Sequence, residues 1–541
     1  MRSRHNRQPN VWAQWGIFFG VAAALGALVW TGWAILEHRS ILPTGNASSA
    51  QQVNIGVTDL PQSLDIRPGG TAAASAGNAA SVADLNATPA ADRLLLGNVY
   101  ETLVTIDQRN QLQPGLATKW TVSDDGLTYT FTLPSAVKFS NGHTLDATDV
   151  VWSLQQAQSA ENKSDGTVTN PSETLGSLAS VTNPDAATVT ITLTQPNPTL
   201  LRTLGGPLGA VFDAELGDGF DYATQAAGSG PFTVVDFKAG KSLTLARNDT
   251  YHGTKAASAT VAITNFADDA ALAKAVTDGT VDLAANLSGK QAATLTGDGN
   301  GSGVTVSKGT TASKVLLAYN HGNDSLLSDE QARKAFRYLF DAGAIADAQS
   351  DSAGLLSGPI SQTEPGYEDL TGLFPHDVAK TQEMFAYFDP MYLTTVDLVV
   401  SEQYRSIGEA IAQQAGQLSL PPVQLEVLPE AEYAQRIAAG TWAMTVVSMN
   451  GTGDAGLFAD PDSMFHYDHG EAQQAWAAAR AATNETDYES RMKAYARLVS
   501  DDAAADWLYT RACFTVARDG VSGYPTEMTD QRMDLSHVQG A

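Results

Sequence analysis

The sequence predicts a mixed α/β protein with two or three lobes. The chain has 541 residues, whereas an ordinary soluble domain has about 100 to 200. Residues 127–133 alternate between apolar and polar side chains, as in a half-buried strand, and residues 149–156 have helical spacing. Strand and helix signals continue to alternate irregularly. No repeat of 20 to 50 residues is visible, so a solenoid or propeller is not favoured.

The same kind of pattern predicts a turn, a helix cap and further strands and helices. Asp124, Asp125 and Gly126 predict a turn before the first of these strands, and Asp146 with Asp149 predicts a cap at the start of the helix. Further strands are predicted at residues 53–57, 188–193, 243–246, 315–319, 395–400 and 423–427. Further helices are predicted at residues 329–340, 405–415, 431–439 and 488–498.

Charge and cysteine content exclude several classes of function. The 59 acidic and 32 basic residues give a formal charge of −27, which repels a phosphate backbone, so no nucleic-acid partner is expected. Cys513 is the single cysteine, so neither an intrachain disulfide nor a cysteine-based metal cluster can form. No cysteine follows the apolar N-terminal run to carry a lipid anchor.

The N-terminal segment has the pattern of a transmembrane helix. Residues 11–36 carry no charge, and 26 helical residues reach about 39 Å, more than the roughly 30 Å hydrocarbon core of a bilayer. Tryptophans lie at both ends of the run, as expected at membrane interfaces: Trp12, Trp15, Trp30 and Trp33. Three arginines precede the run and only Arg39 closely follows it, which predicts cytoplasmic residues 1–10 and an extracytoplasmic body anchored in the cytoplasmic membrane.

A cleaved signal peptide is the alternative reading of this segment. Ser48 and Ala50 would then be the small residues before the cut, but the apolar run is longer than a typical signal-peptide core of about 7 to 15 residues. Residues 37–51 are mostly small and polar and predict a linker. Residues 69–91, rich in Ala, Gly and Ser, predict a mobile surface loop.

Several longer motifs resemble a known family. The chain contains NVYETLVTID from residue 98, LATKWTVSDDGLTYTFTLPSAVKFSNGHTLDATDVVWSL from residue 116, GSGPFTVVDFKAGKSLTLARNDTY from residue 228, AVTDGTVDLA from residue 275, VLLAYNHGNDSLLSDEQARKAFRYLFD from residue 315, PGYED from residue 365 and ADPDSMF from residue 459. In this order they resemble the family 5 extracellular solute-binding proteins of ABC importers, which handle di- and oligopeptides, nickel and some sugars.

The resemblance implies the large, peptide-binding type of the two-lobed periplasmic-binding-protein-like fold. Lobe 1 would comprise residues 51–312 and 508–541, and lobe 2 residues 313–507, with crossings near residues 313–320 and 507–511. Peptide-binding members commonly carry Asp and Trp where this chain has Ala443 and Met449. These two departures concern the ligand rather than the fold.

The resemblance also suggests residues that would contact a peptide. Gly453 and Asp454 match a Gly-Asp pair that commonly binds the peptide's amino terminus, although Asp454 could instead be a turn or cap carboxylate. Met449, Asn450 and Gly451 would offer backbone edges and an adaptable surface, although a Met after an apolar run is usually core.

Arg405, at a predicted helix start, is the candidate partner for the ligand carboxylate, with solvated surface as the alternative. His466 and His469 lack the further ligands of a metal site, and no GxSxG, HExxH or P-loop motif occurs. We therefore expect no enzyme, metal or cofactor.

The predicted function is a receptor that captures a short peptide between closing lobes and delivers it to an ABC permease. The alternatives are a receptor for nickel or an oligosaccharide, or a tethered scaffold or signalling receptor with the same fold.

Overall fold

The described part of the chain contains eighteen strands and twelve α-helices. The computed structural model describes residues 52–67, 84–85, 90–161, 174–296, 303–322, 325–450, 453–529 and 532–541. The strands are β1 (Gln52–Val57), β2 (Asp84–Leu85), β3 (Val104–Ile106), β4 (Leu112–Pro114), β5 (Lys119–Val122), β6 (Thr128–Thr132), β7 (Leu178–Asp185), β8 (Thr188–Leu193), β9 (Phe232–Lys238), β10 (Ser242–Arg247), β11 (Thr260–Asn265), β12 (Leu283–Ala284), β13 (Val304–Tyr319), β14 (Ser352–Leu355), β15 (Val396–Ser401), β16 (Val423–Leu428), β17 (Met444–Met449) and β18 (Ala505–Arg518). The helices are α1 (Ala90–Leu95), α2 (Ala147–Glu161), α3 (Leu200–Gly205), α4 (Asp269–Asp278), α5 (Gly289–Leu295), α6 (Glu330–Leu339), α7 (Ala342–Asp347), α8 (Val378–Phe385), α9 (Arg405–Ala415), α10 (Glu430–Ala438), α11 (Gly470–Arg480) and α12 (Glu485–Asp501).

A large mixed sheet of twelve strands runs through the described residues. Ten strands follow the order β16-β15-β17-β13-β18-β12-β1-β11-β10-β9, while β14 pairs with β18 and β2 pairs with β17. β13 and β18 are antiparallel neighbours at its centre, paired from Val304–Arg518 to Ala318–Ala505 with two shifts of register. Two smaller sheets, β3-β4 and β5-β6-β8-β7, lie apart from it.

Buried apolar side chains divide into clusters that define two lobes. The largest cluster is drawn from residues 315–509, which we call the second lobe. Three other clusters are drawn from residues 53–292 and 514–538, which together form the first lobe. β13 and β18 run from one lobe into the other: Leu316 and Trp507 belong to the large cluster, whereas Phe514 and Val516 belong to a first-lobe cluster. These two strands therefore connect the lobes side by side.

Local sequence signals account for many of these elements. The strand predicted at 188–193 is confirmed as β8, in which buried and half-buried residues alternate. The helix predicted at 405–415 is confirmed as α9. Asp146 and Asp149 cap α2 reciprocally, because Asp146 Oδ1 accepts from the Thr148 backbone N–H and Asp149 Oδ2 accepts from that of Asp146. The strand predicted at 315–319 is only the apolar end of β13, since its first half is polar and partly exposed.

Several predicted segments lie outside the described residues. They include the transmembrane span at 11–36, the linker at 37–51 and most of the loop at 69–91. Within the part of the chain that the structure describes, none of the helices combines the length and apolar character needed to cross a membrane.

Candidate functional site

The pairing between the two long strands is interrupted where they pass between the lobes. β13 and β18 pair regularly up to Thr310–Ala512 and resume at Lys314–Thr510, with a bulge between these positions. A bulge releases residues from the ladder and redirects their side chains. Here it releases residues 311–313, and two of them, Thr311 and Ser313, line a cavity.

This cavity, which we call the hinge cavity, has a volume of about 230 Å³. Its wall combines residues of the first lobe, both long strands and the edge of the second lobe: Val57, Thr58, Asp59, Arg93, Leu94, Ala285, Asn286, Thr311, Ser313, Asn450, Arg511, Ala512, Met528 and Met533. Asn286 has a φ of 54°, in the left-handed region that residues other than glycine rarely adopt.

Two ion pairs involve arginines of the hinge cavity wall. Arg93 Nη2 lies 2.6 Å from Asp59 Oδ2. Arg511 Nε lies 3.4 Å from Asp351 Oδ2, and its Nη2 donates to the hydroxyl of Tyr404 at 2.8 Å. The Arg511 guanidinium also lies 5.3 Å from the Tyr404 ring centroid, within cation–π distance. Arg511 is therefore held in a defined orientation while 28% of its side chain stays exposed.

Asn450 connects β2 and β13 at the same cavity. Its side-chain oxygen accepts from Ser313 Oγ at 2.5 Å, and both its backbone N–H and its Nδ2 donate to the Leu85 carbonyl at 3.1 Å. Leu85 belongs to β2, which pairs in parallel with β17 of the second lobe. The structure thus places Asn450, one of the residues predicted from sequence, in the cavity wall.

Asp454 lies in a buried charged group rather than in the cavity wall. Lys314 Nζ lies 2.7 Å from Asp454 Oδ1 and 2.7 Å from Glu364 Oε2, and the Lys314 and Asp454 side chains are fully buried. We call Lys314, Glu364 and Asp454 the buried triad. Burial lowers the pKa of Lys314, but the Asp454 and Glu364 carboxylates outweigh this and raise it overall. Lys314 therefore remains charged between the two acids.

The other predicted residues have varied surroundings. Met449 is fully buried in the second-lobe core and pairs with Lys314 across β17 and β13. Gly453 has a φ of 86°, and its N–H points to Glu364 Oε1 at 3.4 Å. Gly451 lies outside the described residues. Arg405 is 48% exposed on α9, pairs with Glu402 at 2.7 Å, and does not line the hinge cavity.

A larger cavity of about 410 Å³, the outer cavity, lies between the small sheet of the first lobe and the start of α12. Trp120 and Arg202 line it from the first lobe, and Pro365 and Tyr488 from the second. Burial lowers the pKa of Arg202, whose side chain lies 3.9 Å from Glu485. The outer cavity touches neither β13 nor β18, so we take the smaller hinge cavity as the candidate site.

The other side chains with potential reactivity, His469 and Cys513, have positions typical of structural residues. His469 caps α11, because its Nδ1 accepts from the Ala472 backbone N–H at 3.2 Å. Cys513 is buried, and burial raises the pKa of its thiol to about 11, which disfavours the reactive thiolate. Among the described residues, no cluster of three His, Cys, Asp or Glu side chains is arranged to hold a metal ion.

Four charged residues near the hinge were not identified from the sequence: Arg93, Lys314, Glu364 and Arg511. The sequence around Lys314 contains a signal of its burial: the lysine directly precedes the apolar run of a predicted strand, where a charged side chain is unusual. Arg511 carries none, because its exposure to the cavity depends on the bulge in the neighbouring strand. Glu364 and Arg93 are likewise ordinary polar residues in their local sequence.

Comparisons with known proteins agree with this architecture. The family model "Bacterial extracellular solute-binding proteins, family 5 Middle" matches residues 111–474, about two-thirds of the chain. The probable D,D-dipeptide-binding periplasmic protein DdpA of Escherichia coli is 25% identical over 431 residues, covering 76% of this chain and 81% of that protein. Heme-binding protein A of Haemophilus influenzae is 27% identical over 312 residues, covering 53% of this chain and 56% of that protein.

Solved structures show the same fold. The substrate-binding protein CtaP of Listeria monocytogenes superposes with a TM-score of 0.74 at 17% identity, covering 91% of this chain and 99% of that one. DppA of Helicobacter pylori in complex with the peptide STSA gives 0.69 at 18% identity, covering 90% and 98%. The fold is therefore the two-lobed periplasmic-binding-protein type, and the protein is a solute-binding receptor rather than an enzyme. The chain belongs to the bacterial extracellular solute-binding proteins of family 5.

Proposed function

We propose that this protein is the extracytoplasmic receptor of an ABC importer and captures a short peptide or another small solute in the hinge cavity. The observation that carries the proposal is the position of that cavity in a member of this family: both lobes and both connecting strands contribute to its wall. A ligand there contacts every part that moves when the lobes close. The names of the similar proteins, which include dipeptide- and heme-binding receptors, support a small solute.

Closure would act through contacts that span the lobes. Asn110 Nδ2 donates to the Thr363 carbonyl at 2.9 Å, and Arg480 Nη1 donates to Thr199 Oγ1 at 2.6 Å. A ligand that binds the closed form better than the open form shifts the population toward closure. We propose lobe boundaries at residues 51–312 with 508–541 and at 313–507; the separate apolar cores support this division, except that Leu508 and Tyr509 pack in the second-lobe core. The closed form would then dock on the permease.

We further propose that residues 11–36 tether the lobes to the outer face of the cytoplasmic membrane. The uncharged length of the segment and its flanking tryptophans support this proposal. Alkaline carbonate washing of isolated membranes tests it: a retained helix keeps the full chain in the membrane pellet, whereas a cleaved one releases a shorter protein that begins near residue 51.

Ligand capture is tested by thermal and chemical unfolding of the full chain with pools of dipeptides and tripeptides, nickel chelates and oligosaccharides. A ligand at 100 times its Kd stabilises the folded form by about 2.7 kcal/mol, and the effect keeps increasing with the logarithm of the ligand concentration. We expect this response from at least one pool and no turnover of the ligand. No stabilisation by any pool would contradict the receptor function.

Two tryptophan substitutions locate the binding. Thr58→Trp fills the hinge cavity from a half-buried position in its wall and should weaken binding at least tenfold. Val235→Trp adds the same side chain at an exposed position of β9 that lines neither cavity, and binding should be unchanged. Equal affinity in the two variants would move the site away from the hinge cavity.

A further inference from the structure

The part of β18 that crosses between the lobes is bound along one edge to the second lobe. β14 pairs with it at residues 509–511. Directly before β14, the Asp351 carbonyl accepts from the Ala512 backbone N–H at 2.7 Å. β18 therefore stays paired on this edge at the level where its pairing with β13 is interrupted.

The Asp351 side chain adds contacts to the same part of β18. Its Oδ1 accepts from the Tyr509 hydroxyl at 3.1 Å, and its Oδ2 lies 3.4 Å from Arg511 Nε. Arg511 also donates to the hydroxyl of Tyr404, which is buried in the second-lobe core. Asp351 thus holds the strand at three points, and it does not itself line the hinge cavity.

β13 passes from one lobe to the other within its bulge. The Ala312 backbone N–H donates to the carbonyl of Thr529, in the first lobe, at 3.2 Å. Ser313 Oγ donates to Asn450 Oδ1 at 2.5 Å, and the next residue, Lys314, is bound in the buried triad of the second lobe. The partners of β13 therefore change from the first lobe to the second between Ala312 and Ser313.

β18 makes the same change directly after Ala512. This residue pairs with Thr310 across the ladder, while its N–H is bound to Asp351 of the second lobe. The next residue, Cys513, has its Sγ 3.6 Å from the Thr526 carbonyl oxygen of the first lobe. The two changes thus occur at neighbouring positions on adjacent strands, so that a single axis can cross both.

A close contact beside Asp351 agrees with this axis. Gly289, the first residue of α5 in the first lobe, packs against Ser350 so tightly that a Cβ on the glycine would lie 2.3 Å from the Ser350 carbonyl oxygen. Close-packed atoms tolerate little displacement. A contact of this kind between the lobes must therefore lie where they move least relative to each other, close to the axis.

We infer that Asp351 fixes the hinge of the closing motion: it makes β18 part of the second lobe as far as Ala512, so that the chain bends at residues 311–313 and directly after Ala512. The bulge can change its backbone dihedral angles because it is released from the ladder, whereas the neighbouring part of β18 is held on its other edge. Asp351 acts through Arg511 and Tyr509 and is therefore a positioning residue. The inference rests on the proposed receptor function and adds where the lobes bend.

Distances between spin labels on the two lobes of the full chain test the inference. The labels are attached at Asp236→Cys on β9 and Glu409→Cys on α9, both exposed positions, and the buried Cys513 should stay unlabelled. Without ligand, Asp351→Ala should broaden the distribution of label distances at least twofold, because β18 gains a second place to bend. Asp347→Ala, at an exposed position of α7, should leave the distribution unchanged.

Two further substitutions keep the test independent of one variant. Arg511→Gln removes the partner of the Asp351 carboxylate and should also broaden the distribution. Asp351→Asn keeps an acceptor for the Tyr509 hydroxyl but loses the charge, so its distribution should have an intermediate width. Urea unfolding checks that each variant is folded, and if Asp351→Ala is not, Asp351→Asn decides the question by the same measurement.

Failure of the inference and failure of the receptor function give different results. An unchanged width in Asp351→Ala, or equal broadening in Asp347→Ala, would overturn the inference and leave the receptor function intact if a ligand pool binds. Broadening specific to Asp351→Ala, with no ligand bound from any pool, would overturn the receptor function and leave the hinge assignment in place.

Discussion

Two groups of charged side chains include residues of the long strands, and they differ in their access to water. The buried triad is sealed in the second lobe, where Lys314 is fully buried. Arg511, with Asp351, is about one-third exposed beside the hinge cavity. A charged group that is sealed from water needs ion pairs and hydrogen bonds from the protein itself. A charged group in a cavity wall can form them with a ligand instead. The comparison separates charges that hold the fold from charges available for binding.

The largest expected effect comes from breaking the sealed group. Lys314→Met removes the ammonium and leaves Glu364 and Asp454 as two buried carboxylates close together. Breaking a buried pair in this way costs about 3–5 kcal/mol. Urea unfolding of the full chain measures the loss. Lys274→Met, at an exposed lysine paired with Asp278 on α4, is the control and should leave the free energy of unfolding unchanged within error.

A second substitution sharpens this result. Lys314→Met/Glu364→Gln has one orphaned carboxylate instead of two, so it should recover part of the lost stability. If the free energy of unfolding of Lys314→Met instead lies within about 1 kcal/mol of that of the natural protein, the loss is well below the expected one. That result would show that the triad is hydrated rather than sealed from water.

The sequence predicts the fold more completely than the site, for a physical reason. Strands such as β8 and helices such as α9 follow from local periodicity, and the ordered motifs of the family extend over most of the chain. The triad joins residues that are far apart in sequence: Glu364 lies 50 positions beyond Lys314. Asp454 has no local feature to show that a lysine of the chain would neutralise it.

The residues predicted for ligand contact illustrate the same limit. Asn450 lies in the cavity wall because β17 ends beside the bulge of β13. Arg405 was selected for its place at a helix start, whereas Arg511 reaches the cavity from the interior of a strand. Its access depends on a broken register, which periodicity in one strand cannot reveal.

A partly buried pair in the first lobe should show an intermediate effect that depends on pH. His252 Nε2 lies 3.1 Å from Glu101 Oε2, and this hydrogen bond raises the pKa of His252, against the opposing effect of burial. A raised histidine pKa stabilises the folded protein fully below the ordinary value of 6.5, and this contribution is lost as the pH rises through the folded value.

His252→Gln keeps a hydrogen-bond donor but removes the charge. We expect it to lower the free energy of unfolding by about 1 kcal/mol at pH 6 and to match the natural protein at pH 9. Urea unfolding at the two pH values measures the difference. A loss that is equal at both would show that packing of the ring, rather than its charge, stabilises this pair.

The smallest effect is expected at Arg405, which is more exposed than the charged residues of either group compared above. Its ion pairs with Glu402 and Glu409 lie on the surface of α9, where solvent screens them and side-chain entropy opposes them. Arg405→Gln should therefore change neither the free energy of unfolding nor the affinity for a carboxylate ligand. Urea unfolding and calorimetric titration of a ligand found in the pools check this. A tenfold loss of affinity in Arg405→Gln would place a ligand contact at the start of α9, because only direct contact with the ligand could make so exposed an arginine important.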